Sequence, residues 1–389
     1  MLSPSDIHAE FDRVRGVADF RSVADPDAMK ADPLNASSLQ GPHAQRMLDR
    51  TAQILDEHAE FSKRFDFWWA VDAASYTDPV EVFLQQVLIA ALADSKQNHP
   101  HLRALKPTAV RCVYNPQFSS FALPGQTVDF VCISIGFMKF LQVLLGAMID
   151  FHDAGCDLTG PTRLCHTNLA FGQDAERLMR QRPEVAQGIC HRVVLEGLRC
   201  FKGDFSNHHS PILGRMVGDL LEVSGLTPLL YSGCEGFIVC HELAHLLSPD
   251  KTPQRKMRLE QDADLSAISL MFVATCVIDN DLFVPTLYGP PLFFQAARIY
   301  GLIYRAGMVI SGVPQDMEKM SDSEVELIRR LMGIRRYLRK ETPLPVGTPD
   351  LFDDLIAELS MLLLGCQWRL LELGGKDIDI GALMLAAER

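Results

Sequence analysis

The feature that most constrains this chain is the pentapeptide His241-Glu242-Leu243-Ala244-His245, set in an apolar run over 237–247 that holds neither proline nor glycine. Such a run predicts a helix, and at about 3.6 residues per turn His241 and His245 lie one above the other on a single face. Two neutral imidazoles at that spacing can grip one tetrahedral cation, zinc being the commonest such partner. Glu242 is displaced by about 100° around the axis, beside that face and not on it. A carboxylate so placed can take a proton from a water activated by the cation. The neighbours Ile238, Val239, Leu243, Leu246 and Leu247 leave little polar surface. A His-Glu-His trio buried among them without a partner would be costly.

Two histidines and a water leave zinc one donor short. The next helical pattern contains Leu259-Glu260-Gln261-Asp262-Ala263-Asp264. Glu260 and Asp264 form an i, i+4 pair on one face, and the small Ala263 beside them permits close approach to another helix. Pro249, Asp250, Thr252 and Pro253 predict a turn between the two helices. The chain can therefore double back and bring Glu260 opposite the histidine pair as a ligand. Asp264, one turn further on, is placed to bond a histidine ring N–H and fix its tautomer. Cys234 is excluded as a ligand, because seven residues before His241 is about 10 Å along the same helix.

This arrangement resembles the gluzincin metallopeptidases. The resemblance implies a zincin-like core in which His241, His245 and Glu260 hold one Zn2+ per chain, Glu242 is the general base and Asp264 supports a ligand. A second likeness lies upstream, in Ser119-Ser120-Phe121-Ala122-Leu123-Pro124-Gly125-Gln126 followed by Ile133-Ser134-Ile135-Gly136-Phe137. It is similar to the Asn-Ala-Phe-Ala-x-Pro-Gly-Gly element of the CAAX-prenyl-protease and heat-shock-protease-X family, with Ser119-Ser120 standing where Asn-Ala is usual. A related element occurs in the ImmA-like and Lit-like intracellular peptidases. On this likeness Ser120, Phe121 and Ala122 are the candidate substrate-binding residues. The two resemblances cover roughly residues 112–140 and 235–275.

The rest of the chain sets bounds on that reading. A length of 389 residues suffices for a substantial core, and a net charge of -12 without an aromatic-interleaved Lys/Arg cluster excludes a nucleic-acid-binding surface. The densest basic run, 335–340, predicts a solvated helix end. The most apolar window, 131–149, contains Lys139 and Gln142 and is divided by Ser134 and Gly136. It predicts a buried strand followed by a core helix rather than a membrane span. Ten cysteines at irregular spacings, with no Cys-x-x-Cys pair, fit a reducing, cytoplasmic compartment.

The expected fold is mainly α (α+β), with helices at both ends of a core that holds a small sheet. Three regions are expected: 1–105 helical, with patterns over 44–65 and 79–94 flanking Trp68-Trp69; 106–280 the zincin-like core; and 281–389 helical and packed on it. Strands are expected over 108–114 and 127–135 as a hairpin-like pair. Its free edge could take an extended peptide as an added strand. Helices follow over 137–151 and, in one or two pieces broken near Pro183, over 174–205. Others are expected over 257–278, from Pro290-Pro291 to 310, and over 322–340 and 350–373.

The implied function is hydrolysis of a protein or peptide substrate, with no nucleic-acid or membrane partner. The donor for the tetrahedral oxyanion is not identified; Tyr300, Tyr304, His208 and His209 are candidates by residue type only. Two other readings stand beside this one. The site could serve an inactive or weakly active zinc protein with a regulatory or interaction role, or a zinc hydrolase acting on something other than a peptide bond. A structural zinc usually has four protein ligands, and only three are found here.

Overall fold

The computed structural model describes residues 95–113, 120–156, 178–202, 226–248, 256–278, 287–312, 317–341 and 348–374, with isolated positions in 6–14 and 89–93. The expected helix over 44–65, most of that over 79–94, Trp68-Trp69, the turn through Pro249 and Pro253, and His208-His209 lie outside the described residues. What is described is mostly helical, with one small three-stranded sheet. The chain divides into two compact units. The first comprises residues 1–115, 119–135 and 235–286; the second comprises 116–118, 136–234 and 287–389.

The sheet belongs to the first unit. Its strands are β1 (Thr108–Val113), β2 (Ser120–Leu123) and β3 (Asp129–Ser134), in the order β1-β3-β2. This corrects the hairpin-like pair expected from the sequence. β1 and β3 are parallel neighbours, in register from Thr108 opposite Asp129 to Val113 opposite Ser134. The hairpin is instead β2–β3, with Ser120 opposite Ile133 and Leu123 opposite Phe130. The reason is the Pro124-Gly125 turn, which reverses the chain after a strand too short to show an alternating pattern. β3 gains a neighbour on each edge, and all six of its residues are buried, as its continuous apolar run requires.

Alternation divides the sheet into two faces. On one, Ala109, Leu123, Phe130 and Cys132 cluster with Val128 and with Phe11 and Val14 from the N-terminal segment, and Phe121 packs against the group. The Phe11 and Phe130 rings sit 5.1 Å apart. The turn is held from several sides. Gly125 N–H donates to Asp129 Oδ1 at 3.0 Å, Lys106 Nζ donates to the Gly125 carbonyl at 3.0 Å, and Gln126 N–H donates to Glu10. A Cβ at position 125 would stand 1.9 Å from the Val128 carbonyl oxygen, so only glycine fits. Arg13 and the Gln126 N–H hold the Glu10 carboxyl down at about 2.

Seven long helices complete the described chain: α1 (Ile135–Cys156), α2 (Pro183–Phe201), α3 (Leu226–Leu247), α4 (Lys256–Ile278), α5 (Gly289–Ile310), α6 (Met317–Glu341) and α7 (Thr348–Gly374). The 131–149 window separates into β3 and α1 as expected, and no helix among the described residues is long and apolar enough to cross a membrane. Arg182 leaves the helical region (φ -137), and Pro183 restarts the chain in the first turn of α2, where its missing N–H costs nothing. The basic run falls in the last turns of α6, with Arg336, Arg339 and Lys340 exposed.

Within the second unit α1, α2 and α5 meet around Phe140, whose ring is 4.8 Å from Tyr300, and Gln295 of α5 donates to Ser360 of α7 at 3.1 Å. A Cβ on Gly289, at the head of α5, would fall 2.0 Å from the Gly233 carbonyl oxygen of α3. The obstacle is backbone, which cannot swing aside. Gly289→Ala is therefore expected to cost about 3 kcal/mol, the upper end for overpacking. Denaturant unfolding checks this; a loss below about 0.5 kcal/mol, the range of a neutral surface change, would show that the two helices do not cross so closely.

Candidate metal centre

The site is built in the first unit by the C-terminal turns of α3 and the N-terminal turns of α4. His241 and His245 stack one turn apart on α3 with ring centres 4.7 Å apart and planes at 86°. Their Nε2 atoms are 3.1 Å from one another. Glu260 of α4 reaches both rings, with Oε2 3.3 Å from His241 Nε2 and Oε1 3.6 Å from His245 Nε2. Asp264 Oδ1 lies 2.9 Å from His241 Nδ1. Position 260 reaches 245 while position 264, one turn later, meets only 241, so the two helices run antiparallel. That is the doubling-back expected from the spacing.

These separations fit a metal. A tetrahedral cation bonded at about 2.0–2.1 Å to each donor needs its donors about 3.4 Å apart. Here the two Nε2 atoms are 3.1 Å apart, and the carboxylate approaches each through a different oxygen, Oε2 at 3.3 Å from His241 and Oε1 at 3.6 Å from His245. Among the described residues this is the group able to hold a metal ion, its ligand atoms all within 4.8 Å of one another. Among the described residues these three donors leave a fourth vertex open. It has access to solvent on one side, since the His245 and Glu260 side chains are 29% and 22% exposed. The other side is closed: His241 is 7% exposed and Asp264 1%.

Asp264 orients the imidazole. With a carboxylate at Nδ1, that nitrogen keeps the proton, and Nε2 is the atom turned toward His245 and Glu260. Burial alone would pull the His241 pKa down. The contacts from Asp264 and Glu260 and the charge of Glu242 outweigh it and raise the pKa to about 9. The metal-free site therefore stores a proton on His241 at neutral pH, and a metal must displace it.

The sign follows from linkage. A raised histidine pKa stabilises the metal-free fold fully below the ordinary value of 6.5, and this is lost as pH rises through about 9. Metal uptake at pH 7.5 is expected to release about one proton from His241 per site, beside any lost by a metal-bound water, and the His241 share falls away as pH rises past about 9. Calorimetry of zinc binding in buffers of different ionisation enthalpy measures this number. Zero release at pH 7.5 would mean that His241 is already neutral.

Glu242 stands beside the metal face, 4% exposed. Its Oε1 accepts a hydrogen bond from Ser120 Oγ at 2.7 Å, so the second face of the sheet lies against α3. Ala122 shares that face with Ser120, two residues along β2. Phe121 projects to the other face, into the cluster with Phe11 and Phe130, so its side chain serves the core. β2 is an outer strand of the sheet, and among the described residues no strand pairs with its far edge.

The two cysteines on α3 do not join the donor set. Cys234 is buried two turns from His241 on the same continuous helix, and burial pushes the Cys240 thiol far up, keeping it protonated. Of the oxyanion candidates, Tyr300 is buried in the second unit's core with its hydroxyl pKa raised by burial, and Tyr304 packs edge-on to Phe201. The Ser120–Glu242 bond is the part of the site that sequence reasoning missed. It joins positions 122 apart, and no short-range spacing signals it.

Comparison with models of protein families, with curated proteins and with solved structures finds no match to this chain.

Proposed function

We propose that this chain is a zinc-dependent endopeptidase of the gluzincin type, with a zincin-like core in its first unit. The observation that supports this most is the convergence of two imidazole nitrogens and one carboxylate within metal-binding distance of one another, beside a buried second carboxylate. His241, His245 and Glu260 would hold the ion and Asp264 would keep His241 in its ligating tautomer. When bound, zinc lowers the pKa of a coordinated water to about 7 and polarises a carbonyl.

The chain's own groups do the rest. Glu242 accepts the proton of the attacking water and delivers it to the departing amine, so one carboxylate serves as base and then as acid. Its burial keeps that proton from being lost to bulk solvent. The outer edge of β2 offers N–H and C=O groups to an extended peptide, whose main chain would add as a strand. Main-chain pairing positions a carbonyl without demanding a particular sequence, which suits a protein or peptide substrate. Cys132, Cys190, Cys200, Cys234, Cys240 and Cys366 are buried and form no disulfide, in keeping with a reducing, cytoplasmic setting.

Proteome-wide mapping of new N-termini, comparing cells that express wild type with cells that express Glu242→Gln, tests the reading. Cleavages confined to wild type are expected. Identical maps would favour the regulatory zinc protein instead.

A further inference from the structure

We propose that Ser120 is a positioning residue for Glu242: its hydroxyl, presented by a clamped strand, fixes one carboxylate oxygen so that the other faces the metal side. This rests on the hydrolytic reading above and deepens it. α3 fixes the backbone of Glu242, but a glutamate side chain has three rotatable bonds and can swing away from the ligand face. A buried carboxylate also needs hydrogen-bond donors to offset its lost hydration. Ser120 meets both needs, donating to Oε1 at 2.7 Å.

The strand that carries the hydroxyl is itself immobilised. Ser120 is in register with Ile133 of the fully buried β3, Leu123 is buried in the opposite core, and the partly buried Phe121 packs against it. The turn beyond them is bonded to Asp129, Lys106 and Glu10. Ser120 has a single hydroxyl proton, and it is spent on Glu242. It therefore cannot also donate to a substrate carbonyl while that bond lasts. The role is exerted through Glu242 and not by direct contact with substrate.

The test uses the zinc-loaded full chain and acetohydroxamate, a bidentate zinc chelator whose acidic proton a neighbouring carboxylate can accept. Binding is measured by calorimetry for wild type, Ser120→Ala, Ser120→Cys, Ser120→Thr, Glu242→Gln and the Ser120→Ala/Glu242→Gln double variant, with zinc content determined for each. Ser120→Ala and Ser120→Cys are expected to weaken acetohydroxamate about tenfold, the scale of one hydrogen bond to a charged group, with zinc content unchanged. Ser120→Thr restores the hydroxyl and binding to within about threefold, about 0.65 kcal/mol. In the Glu242→Gln background Ser120→Ala should have no further effect, which a merely structural role would not produce.

Additive losses in the double variant, or wild-type affinity in both Ser120→Ala and Ser120→Cys, would overturn the proposal while leaving the metalloenzyme reading in place. Absence of zinc from every protein, wild type included, would remove both.

Discussion

His241→Ala is expected to yield a chain without zinc, whereas the wild type is expected to carry about one ion per chain. Three protein donors are the least that hold a catalytic zinc firmly, and removing one leaves an incomplete set. The loss is not confined to the metal. His241 is the group that faces Asp264, which is 1% exposed, and it also faces Glu260. Deleting that contact from a buried carboxylate is expected to cost about 1–3 kcal/mol of metal-free stability. His245→Ala separates the two effects: its ring is more exposed and lies against Glu260, not Asp264. That variant should also lose zinc, yet keep most of the metal-free stability. Metal analysis after dialysis and reconstitution, with denaturant unfolding of the metal-free proteins, measures both quantities. A wild type that takes up no zinc would dispose of the mechanism.

Glu242→Gln is expected to keep its zinc and lose turnover by a factor of about 10²–10⁴, the usual contribution of a positioned acid–base group. Glutamine has the same length as glutamate and can still accept from Ser120 through its amide oxygen, so the fold around position 242 has no reason to change. What it cannot do is take a proton. On any substrate recovered by cleavage mapping, the expected signature is a fall in kcat with KM little altered, since a proton acceptor acts in the transition state and not in ground-state binding. Cleavage by Glu242→Gln at the wild-type rate would show that this carboxylate is not the base.

The helices and the metal residues were legible because both are short-range signals. His241 and His245 are one turn apart, and Glu260 and Asp264 repeat that spacing on the next helix, so a turn between them suffices to juxtapose all four. Pro183 and Pro290-Pro291 announce helix starts through their fixed φ. The sheet was harder. β3 declared itself as buried by its apolar run, but its parallel pairing with β1 depends on where β2 inserts, and Ser120–Leu123 is too short to show a period of two. Phe121 illustrates the same limit: alternation turns its side chain away from Ser120, yet which face meets the core depends on Phe11, more than a hundred positions earlier in the chain. Glu10 bonding the Gln126 N–H is equally non-local. Such contacts are set by tertiary packing, on which local pattern is silent.

The antiparallel placing of α3 and α4 has a consequence for the order of assembly. The described residues that could hold a cation lie between His241 and Asp264, so bringing them together needs a short connection, and short closures carry a small entropic penalty. Seating Glu242 is a different matter, because its partner Ser120 waits 122 positions upstream on another structural element. If the site takes up a cation, its capture would rest on neighbouring stretches of chain, whereas alignment of Glu242 would wait on the tertiary fold.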